Sequence, residues 1–389
     1  MTTSSATHPA LDQSWRDQFE PFLVELLDRK YARQGKRRYV PRNAAEVAER
    51  LDAFLQAQGE TRRTRNVRRM GGGASKEQFC FDLESADGSS DLMVLRMDPL
   101  EGIVETSRAR EAEVLDAIQG TVPAPRIAWV DPQGAYMGQP AMIAHFIGGV
   151  TKPTKGSGGP SGLGIRFDSE VGEALTPQYV GNLAAVHALD LANLNLPSFD
   201  MPRAGTETAL WQLNYWSRVL ADDGIDASPI LNYAQYWLRQ NLPVCERPVL
   251  LHGDYRLGNF MYDEDSLQMT AILDWELSHI GDYHEDVSYS LEPLFCSKDA
   301  EGNYLISSMM SVDRFLHLYT EMSGNVIDPA TLHWYRVLNC YKLAVMNLSS
   351  GIRAARDGTN HQCAFLAFLS ASGTAIAASL AKLLTGEIK

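Results

Sequence analysis

The chain has 389 residues, 45% of them hydrophobic, enough for one large domain or two modest ones with a proper core. Its 35 basic and 48 acidic residues give a formal net charge of −13, which excludes a general nucleic-acid binder, because such a protein carries a basic footprint. The five cysteines (Cys80, Cys245, Cys296, Cys340, Cys363) are scattered, with no C-x-x-C pair, so they read as reduced thiols of a cytoplasmic protein and exclude a disulfide or zinc scaffold.

Taken in order, Met1 to Ser14 is polar and lacks an apolar h-region, so no secretory signal is expected. Trp15, Phe19, Phe22, Leu23, Leu26 and Leu27 recur at helical spacing and make one apolar stripe. Asn43-Ala44-Ala45-Glu46 reads as an N-cap with a capping-box-like acid, opening a second helix through Ala53, Phe54 and Leu55. Arg62, Arg63, Arg65, Arg68 and Arg69 then crowd one segment, which reads as a solvated strand edge or as a contact for an anionic ligand.

Gly71-Gly72-Gly73-Ala74-Ser75 precedes an alternating run, Gln78 to Leu83. Such a turn lets backbone N–H groups approach phosphates without Cβ obstruction, although a plain hairpin turn fits the same residues. It is not a Walker A, since no G-K-[ST] follows. Asp91 to Arg96 reads as the next strand. Where protein kinases place a phosphate-pairing Lys, this chain has Arg96, which forks bidentately and reaches differently. Ser107 to Gln119 is a helix with Ala109, Ala112, Val114, Leu115 and Ile118 apolar. Pro123 to Val130 breaks it and starts a strand, and Ala141 to Gly149 follows. Thr151 to Gly164 is rich in Gly, Ser, Pro and Lys and reads as a flexible insertion or a substrate-side lid. Thr176 to Leu189 is helical, and its His187 reads as structural.

The chemistry concentrates in two acid-bearing turns. Pro248-Val249-Leu250-Leu251 runs into His252-Gly253-Asp254-Tyr255-Arg256-Leu257-Gly258-Asn259. Met269 to Leu273 runs into Asp274-Trp275-Glu276. Both apolar runs read as strands entering loops, forming a hairpin-like pair beneath neighbouring loop mouths. Asp254 and Asn259 have the separation of base and metal amide in a kinase catalytic loop, and Asp274 supplies a second carboxylate. Arg256 lies between them, where a cation can offset charge on a transferring phosphoryl group. Glu276 is either a further metal contact or a turn cap. The acids at Asp282 to Asp286 and the amphipathic helices beyond follow. Ala364 to Ala381 is uncharged and rich in small residues, and reads as a closely packed C-terminal helix, with self-association as a lesser alternative and no membrane span.

With these motifs in hand, the chain resembles the aminoglycoside phosphotransferase and choline kinase superfamily. HGDYRLGN followed by LDWELSHIGD is most similar to the branch whose kinase-like domain is also found fused to acyl-CoA dehydrogenases. The resemblance implies an α+β, protein-kinase-like two-lobe fold, with a small β-rich N-lobe and a larger, mostly helical C-lobe. Residues 1–60 would be a helical extension over the smaller lobe, 61–147 the N-lobe ending in a hinge, and 148–389 the C-lobe. It further implies that Gly71, Gly72, Gly73, Ala74 and Ser75 cover the nucleotide, that Glu111 pairs with Arg96 (Glu113 being the fallback), that His145 stands at the hinge, and that Asp286 ties the catalytic loop. The expected function is an ATP- and Mg²⁺-dependent phosphotransferase with Asp254 and Arg256 catalytic and Asn259 and Asp274 on the metal. Its acceptor would be a hydroxyl of a hydroxyacyl-CoA, a hydroxy acid or an aminoglycoside-like alcohol. A nucleotide-binding pseudokinase, suggested by Arg96, is the alternative.

Overall fold

The computed structural model describes residues 16, 18–35, 38–71, 75–155, 164–224 and 226–388. Residues 1–15, Gly72, Gly73 and Ala74 of the glycine turn, and 156–163 of the Gly/Ser/Pro-rich loop lie outside the described residues.

Two helices open the fold, α1 (Pro21–Arg33) and α2 (Ala44–Ala57). The Asn43 side chain caps α2 by accepting the Glu46 N–H at 2.8 Å. Five antiparallel strands follow: β1 (Arg63–Arg69), β2 (Glu77–Glu84), β3 (Ser90–Met97), β4 (Ile127–Asp131) and β5 (Ala141–His145). Their order is β1-β2-β3-β5-β4, with β1 on the edge, where its arginines meet solvent. Strand alternation divides the sheet. Phe79, Phe81 and Leu83 of β2 and Met93, Leu95 and Met97 of β3 point to one face and pack under Val47, Leu51, Phe54 and Leu55 of α2. Gln78, Val94, Arg96, Met142 and Ala144 point to the other face and roof a cavity. The register pairs Gln78 with Arg96, Arg96 with Met142, and Val94 with Ala144. A one-residue slip would exchange core and cavity. Helix α3 (Arg108–Ala117), capped by Ser107, flanks β4.

The rest is mainly helical: α4 (Ser169–His187), α5 (Glu207–Asp223), α6 (Pro229–Gln240), α7 (His284–Ser290), α8 (Val312–Ser323), α9 (Pro329–Val345), α10 (Gly351–Asp357), α11 (Cys363–Ser370) and α12 (Gly373–Thr385). Helix α4 begins before the expected Thr176, because Asp168 caps it and Pro177 is tolerated inside it. Among these helices lie β6 (Val249–Leu251), β7 (Phe260–Tyr262), β8 (Met269–Ile272) and β9 (His279–Gly281). The strands feeding the two acid-bearing turns do not pair with each other, as the hairpin reading expected. Strand β6 pairs with β9 and β7 with β8, so each turn closes between two small ribbons.

Two further expectations change. Of the two opening helices, α2 covers the small sheet. Helix α1 lies on the helical lobe, with Leu27 in the core around Trp216 and Lys30 in a buried ion pair with Asp223 of α5. The C-terminal segment is two helices broken at Ala371-Ser372, and it is packed along one side only. Leu366, Ile376, Leu380 and Leu383 are buried, whereas Phe368 is 67% exposed. By length and composition Cys363–Thr385 is apolar enough to cross a membrane.

Candidate active site

The loop from His252 to Asn259 is fixed from beneath by Asp286 of α7. Its Oδ2 accepts the His252 N–H at 2.7 Å and its Oδ1 the Gly253 N–H at 2.8 Å. Burial opposes ionisation of Asp286, but the side-chain hydrogen bond and charge of His187 and the charge of His252 bring it down to about 2. His187 bonds Asp286 and Tyr319 and remains structural. Gly253 has φ +80°, and a Cβ there would stand 2.4 Å from the Leu277 carbonyl oxygen, so this turn requires glycine. His252 accepts the Asp254 N–H on Nδ1 at 3.1 Å, so Nε2 carries the proton it donates to the Leu273 carbonyl at 2.8 Å. Burial lowers the pKa of His252 and favours this neutral form. One imidazole therefore locks the Asp254 loop to the Asp274 loop.

Asp254 is held on several sides. Arg256 Nε reaches Oδ1 at 2.8 Å and Nη2 reaches Oδ2 at 3.2 Å. Asn259 Nδ2 donates to Oδ2 at 2.7 Å and to the Asp254 carbonyl at 2.9 Å. Tyr289 of α7 is buried beside the Asp254 carboxylate, and burial together with that charge holds its hydroxyl protonated. Lys342 of α9 is buried and donates to the Gly253 carbonyl at 2.6 Å. The second turn places Asp274 in the left-handed region, at φ 59° and ψ 53°. For a non-glycine residue this conformation costs about 1 kcal/mol or more, and it clusters at functional sites.

Arg96 joins the sheet to that turn. Its Nη1 is 2.7 Å from Glu111 and its Nη2 is 2.5 Å from Asp274 Oδ1. Glu113 instead takes Ser198, so the fallback partner is excluded. Behind Arg96 lies a buried ionic cluster. Lys76 is 3.1 Å from both Asp98 and Glu276. Arg108 is 3.1 Å from Asp98 and 3.2 Å from Glu276, and it pairs with Glu111. Burial works against the charge on Glu276, yet Lys76, Arg108 and Arg96 bring it down to about 2. Two N-lobe cations grip Glu276, an interaction the sequence reading did not include.

Asp254, Arg256, Asn259, Asp274, Arg96, Gly71, Ser75 and His145 all line one cavity of about 920 Å³ between the sheet and the helical lobe. Glu111 stands behind it. His145 faces Arg126, whose Nη2 is 2.9 Å from Nε2, and the His145 and Phe146 N–H groups are already donated to Arg126 and Leu92. Sequence reasoning missed Lys76, Arg108, Tyr289 and Lys342. Lys342 had a signal, being a lone cation in the apolar run Tyr341 to Val345. The others had none without their partners.

The family model described as a phosphotransferase enzyme family matches residues 66–306. A solved structure of a candidate aminoglycoside phosphotransferase from Ralstonia eutropha superposes with a TM-score of 0.61 at 21% identity, covering 86% of this chain and 98% of that one. An aminoglycoside phosphotransferase, APH(4)-Ia, in a ternary complex with ADP and hygromycin B, superposes at 0.53 and 15% identity, covering 84% and 97%. At these identities the likeness shows the two-lobe α+β kinase-like fold. Among curated sequences, acyl-CoA dehydrogenase family member 10 of Mus musculus is 27% identical over 206 residues, 51% of this chain and 18% of its own length. The Arabidopsis thaliana chain named as an acyl-CoA dehydrogenase, IBR3, is 25% identical over 326 residues, 75% of this chain and 38% of its own. The match thus spans well under half the length of these relatives.

Proposed function

The chain belongs to the phosphotransferase enzyme family, and from that premise we propose an ATP- and Mg²⁺-dependent kinase acting on a hydroxyl of a small molecule. One observation carries the reading: Asp254, Asn259, Asp274, Arg96 and Arg256 line a single cavity roofed by the sheet. Asp254 orients the acceptor hydroxyl and takes its proton as the oxygen attacks the γ-phosphorus and the bond to ADP breaks. Arg256 leaves the Asp254 carboxylate for the transferring phosphoryl group, and Arg96 meets the nucleotide phosphates. Gly71 and Ser75, with Gly72, Gly73 and Ala74 between them, cover the nucleotide. The hinge next to His145 receives the base, beyond the N–H groups already donated at His145 and Phe146.

Magnesium fits these donors. Lys76, Arg96 and Arg108 face Asp98, Glu111, Asp274 and Glu276, so the cluster carries one negative charge in excess. Asp274 is its most open carboxylate, with 34% of the side chain exposed. Asn259 spends its nitrogen on Asp254 and keeps its oxygen for a ligand. Asn259 and Asp274 would hold the ion, whose contribution is to neutralise phosphate charge.

The cavity favours an acceptor with an apolar chain. Ile103, Val104, Leu294, Phe295, Leu343, Met346 and Leu369 line it. Its carboxylates Asp254, Asp274 and Glu276 are each paired with an arginine or lysine, which leaves little acidic surplus for a polycationic antibiotic. The acyl-CoA dehydrogenase names of the relatives point the same way, to a hydroxyacyl-CoA or hydroxy acid. The test is ADP release with a panel of hydroxyacyl-CoAs, hydroxy acids and aminoglycosides. Turnover on the first two classes is expected. The Arg96–Asp274 pair favours the pseudokinase as a second reading, and nucleotide binding without turnover on any acceptor would establish it.

A further inference from the structure

Lys76 and Arg108 share three partners. Lys76 is 2% exposed and Arg108 fully buried. Each reaches Asp98 Oδ1, each reaches Glu276 Oε2, and each donates to Thr106 Oγ1 at 2.8 Å. Lys76, Asp98, Thr106 and Arg108 belong to the N-lobe side, around the end of the glycine turn, β3 and the start of α3. Glu276 belongs to the C-lobe, in the short turn Trp275–Leu277 directly after Asp274. A second branch runs from Arg108 through Glu111 and Arg96 to Asp274 itself. Both branches end on one loop.

The geometry points to Lys76 and Arg108 as positioning residues that clamp the Asp274 loop to the N-lobe through Glu276, which is therefore not a metal ligand. This rests on the functional reading above, since it assigns how the proposed metal carboxylate is held. Two buried cations on the same Glu276 oxygen fix that side chain by charge-assisted bonds. Partners one shell behind a ligand set its orientation, and their loss lowers metal affinity by about 10- to 100-fold. The opposite assignment has the opposite sign. Were Glu276 a metal ligand restrained by Lys76, removing the lysine charge would release it to the ion and tighten binding.

The experiment is calorimetric titration of the full chain with ADP, with Mg²⁺ and with EDTA, on wild type, Lys76→Met and Lys76→Arg. The clamp predicts that Lys76→Met weakens Mg·ADP binding about 10-fold or more, leaves metal-free ADP binding unchanged, and is rescued largely by Lys76→Arg. Mg·ADP binding equal to or tighter than wild type in Lys76→Met overturns it. If Lys76→Met fails to fold, the double variant Lys76→Met/Asp98→Asn, which removes one buried charge of each sign and keeps Glu276, decides. Weakened Mg·ADP binding there supports the clamp, and wild-type affinity overturns it. A wild-type chain that binds no nucleotide overturns the functional reading and the clamp together, whereas binding by wild type with an unaltered variant overturns the clamp alone.

Discussion

Asp254 accepts hydrogen bonds from Arg256 and Asn259 at once, so its lone pairs are largely occupied before any substrate arrives. Of these donors Arg256 is the one a phosphate competes for, because a guanidinium binds phosphate and carboxylate with the same fork. The Phe295 ring, 4.4 Å from the Arg256 guanidinium carbon, offers a surface along which that exchange can occur. Asp254→Asn keeps the shape and removes the base. Its kcat is expected to fall by about 10²- to 10⁴-fold with nucleotide affinity little changed, measured by ADP release and titration side by side. Near wild-type turnover would remove Asp254 from the mechanism. At Asp274 the prediction differs. Asp274→Ala should lose the Mg²⁺-dependent part of nucleotide binding while metal-free ADP still binds, and an unchanged Mg·ADP affinity would withdraw the metal assignment.

Among the elements, α7 and the turn after it govern the catalytic loop from below. Asp286 holds the backbone at its start, Tyr289 lines the cavity beside Asp254, and the Pro293–Phe295 turn forms part of the cavity wall. Between them Glu292 is 4% exposed. Burial raises it to about 8, against the lowering charges of Arg336 and Lys342. A carboxyl raised in the folded state contributes stability below its ordinary value and loses it as pH rises through the folded one. Glu292→Gln should therefore be near neutral at about pH 5 and stabilising at about pH 9, on the order of a few kcal/mol. Urea unfolding at the two pH values measures this, and a Gln variant with the same effect at both would show that Glu292 is not buried as a neutral acid. The five-residue π-helix Met346–Ser350, between α9 and α10, is the other irregular element at the cavity. It presents Met346 and Asn347 to the cavity, and such distortions recur at functional sites.

For the whole molecule, the helical lobe is closed by α1. Lys30 of α1 pairs with Asp223, which also accepts from Gln34 and Ser350 and meets Arg353. Arg353 continues to Glu101 at 2.6 Å, in the loop leaving the small sheet. One buried network thus spans α1, α5, α10 and the lobe junction. Breaking a buried pair by removing one partner costs about 3–5 kcal/mol. For Lys30→Met the lower end, about 3 kcal/mol, is expected, because Asp223 keeps other partners. Chemical denaturation reads it directly. A loss below about 1 kcal/mol would mean that the pair behaves as a surface one and that α1 does not seal the lobe.

The local parts of this protein follow from its sequence because adjacency along the chain enforces them. Alternation in Gln78 to Leu83 and Asp91 to Arg96 fixes which side chains of β2 and β3 meet the core and which the cavity. The five-residue step from Asp254 to Asn259 brings amide and carboxylate into contact within one turn. The Arg96–Glu111 pair joins a strand to the next helix, but it is the family resemblance that singles out Glu111 from Glu113. Contacts across longer stretches were not legible: Arg108 and Glu276 lie 168 residues apart, and Lys342 and the Gly253 carbonyl 89. Nothing local distinguishes such cations from solvated ones. Tertiary packing decides, since it removes them from water and admits them only beside the carboxylates and carbonyls that compensate their charge.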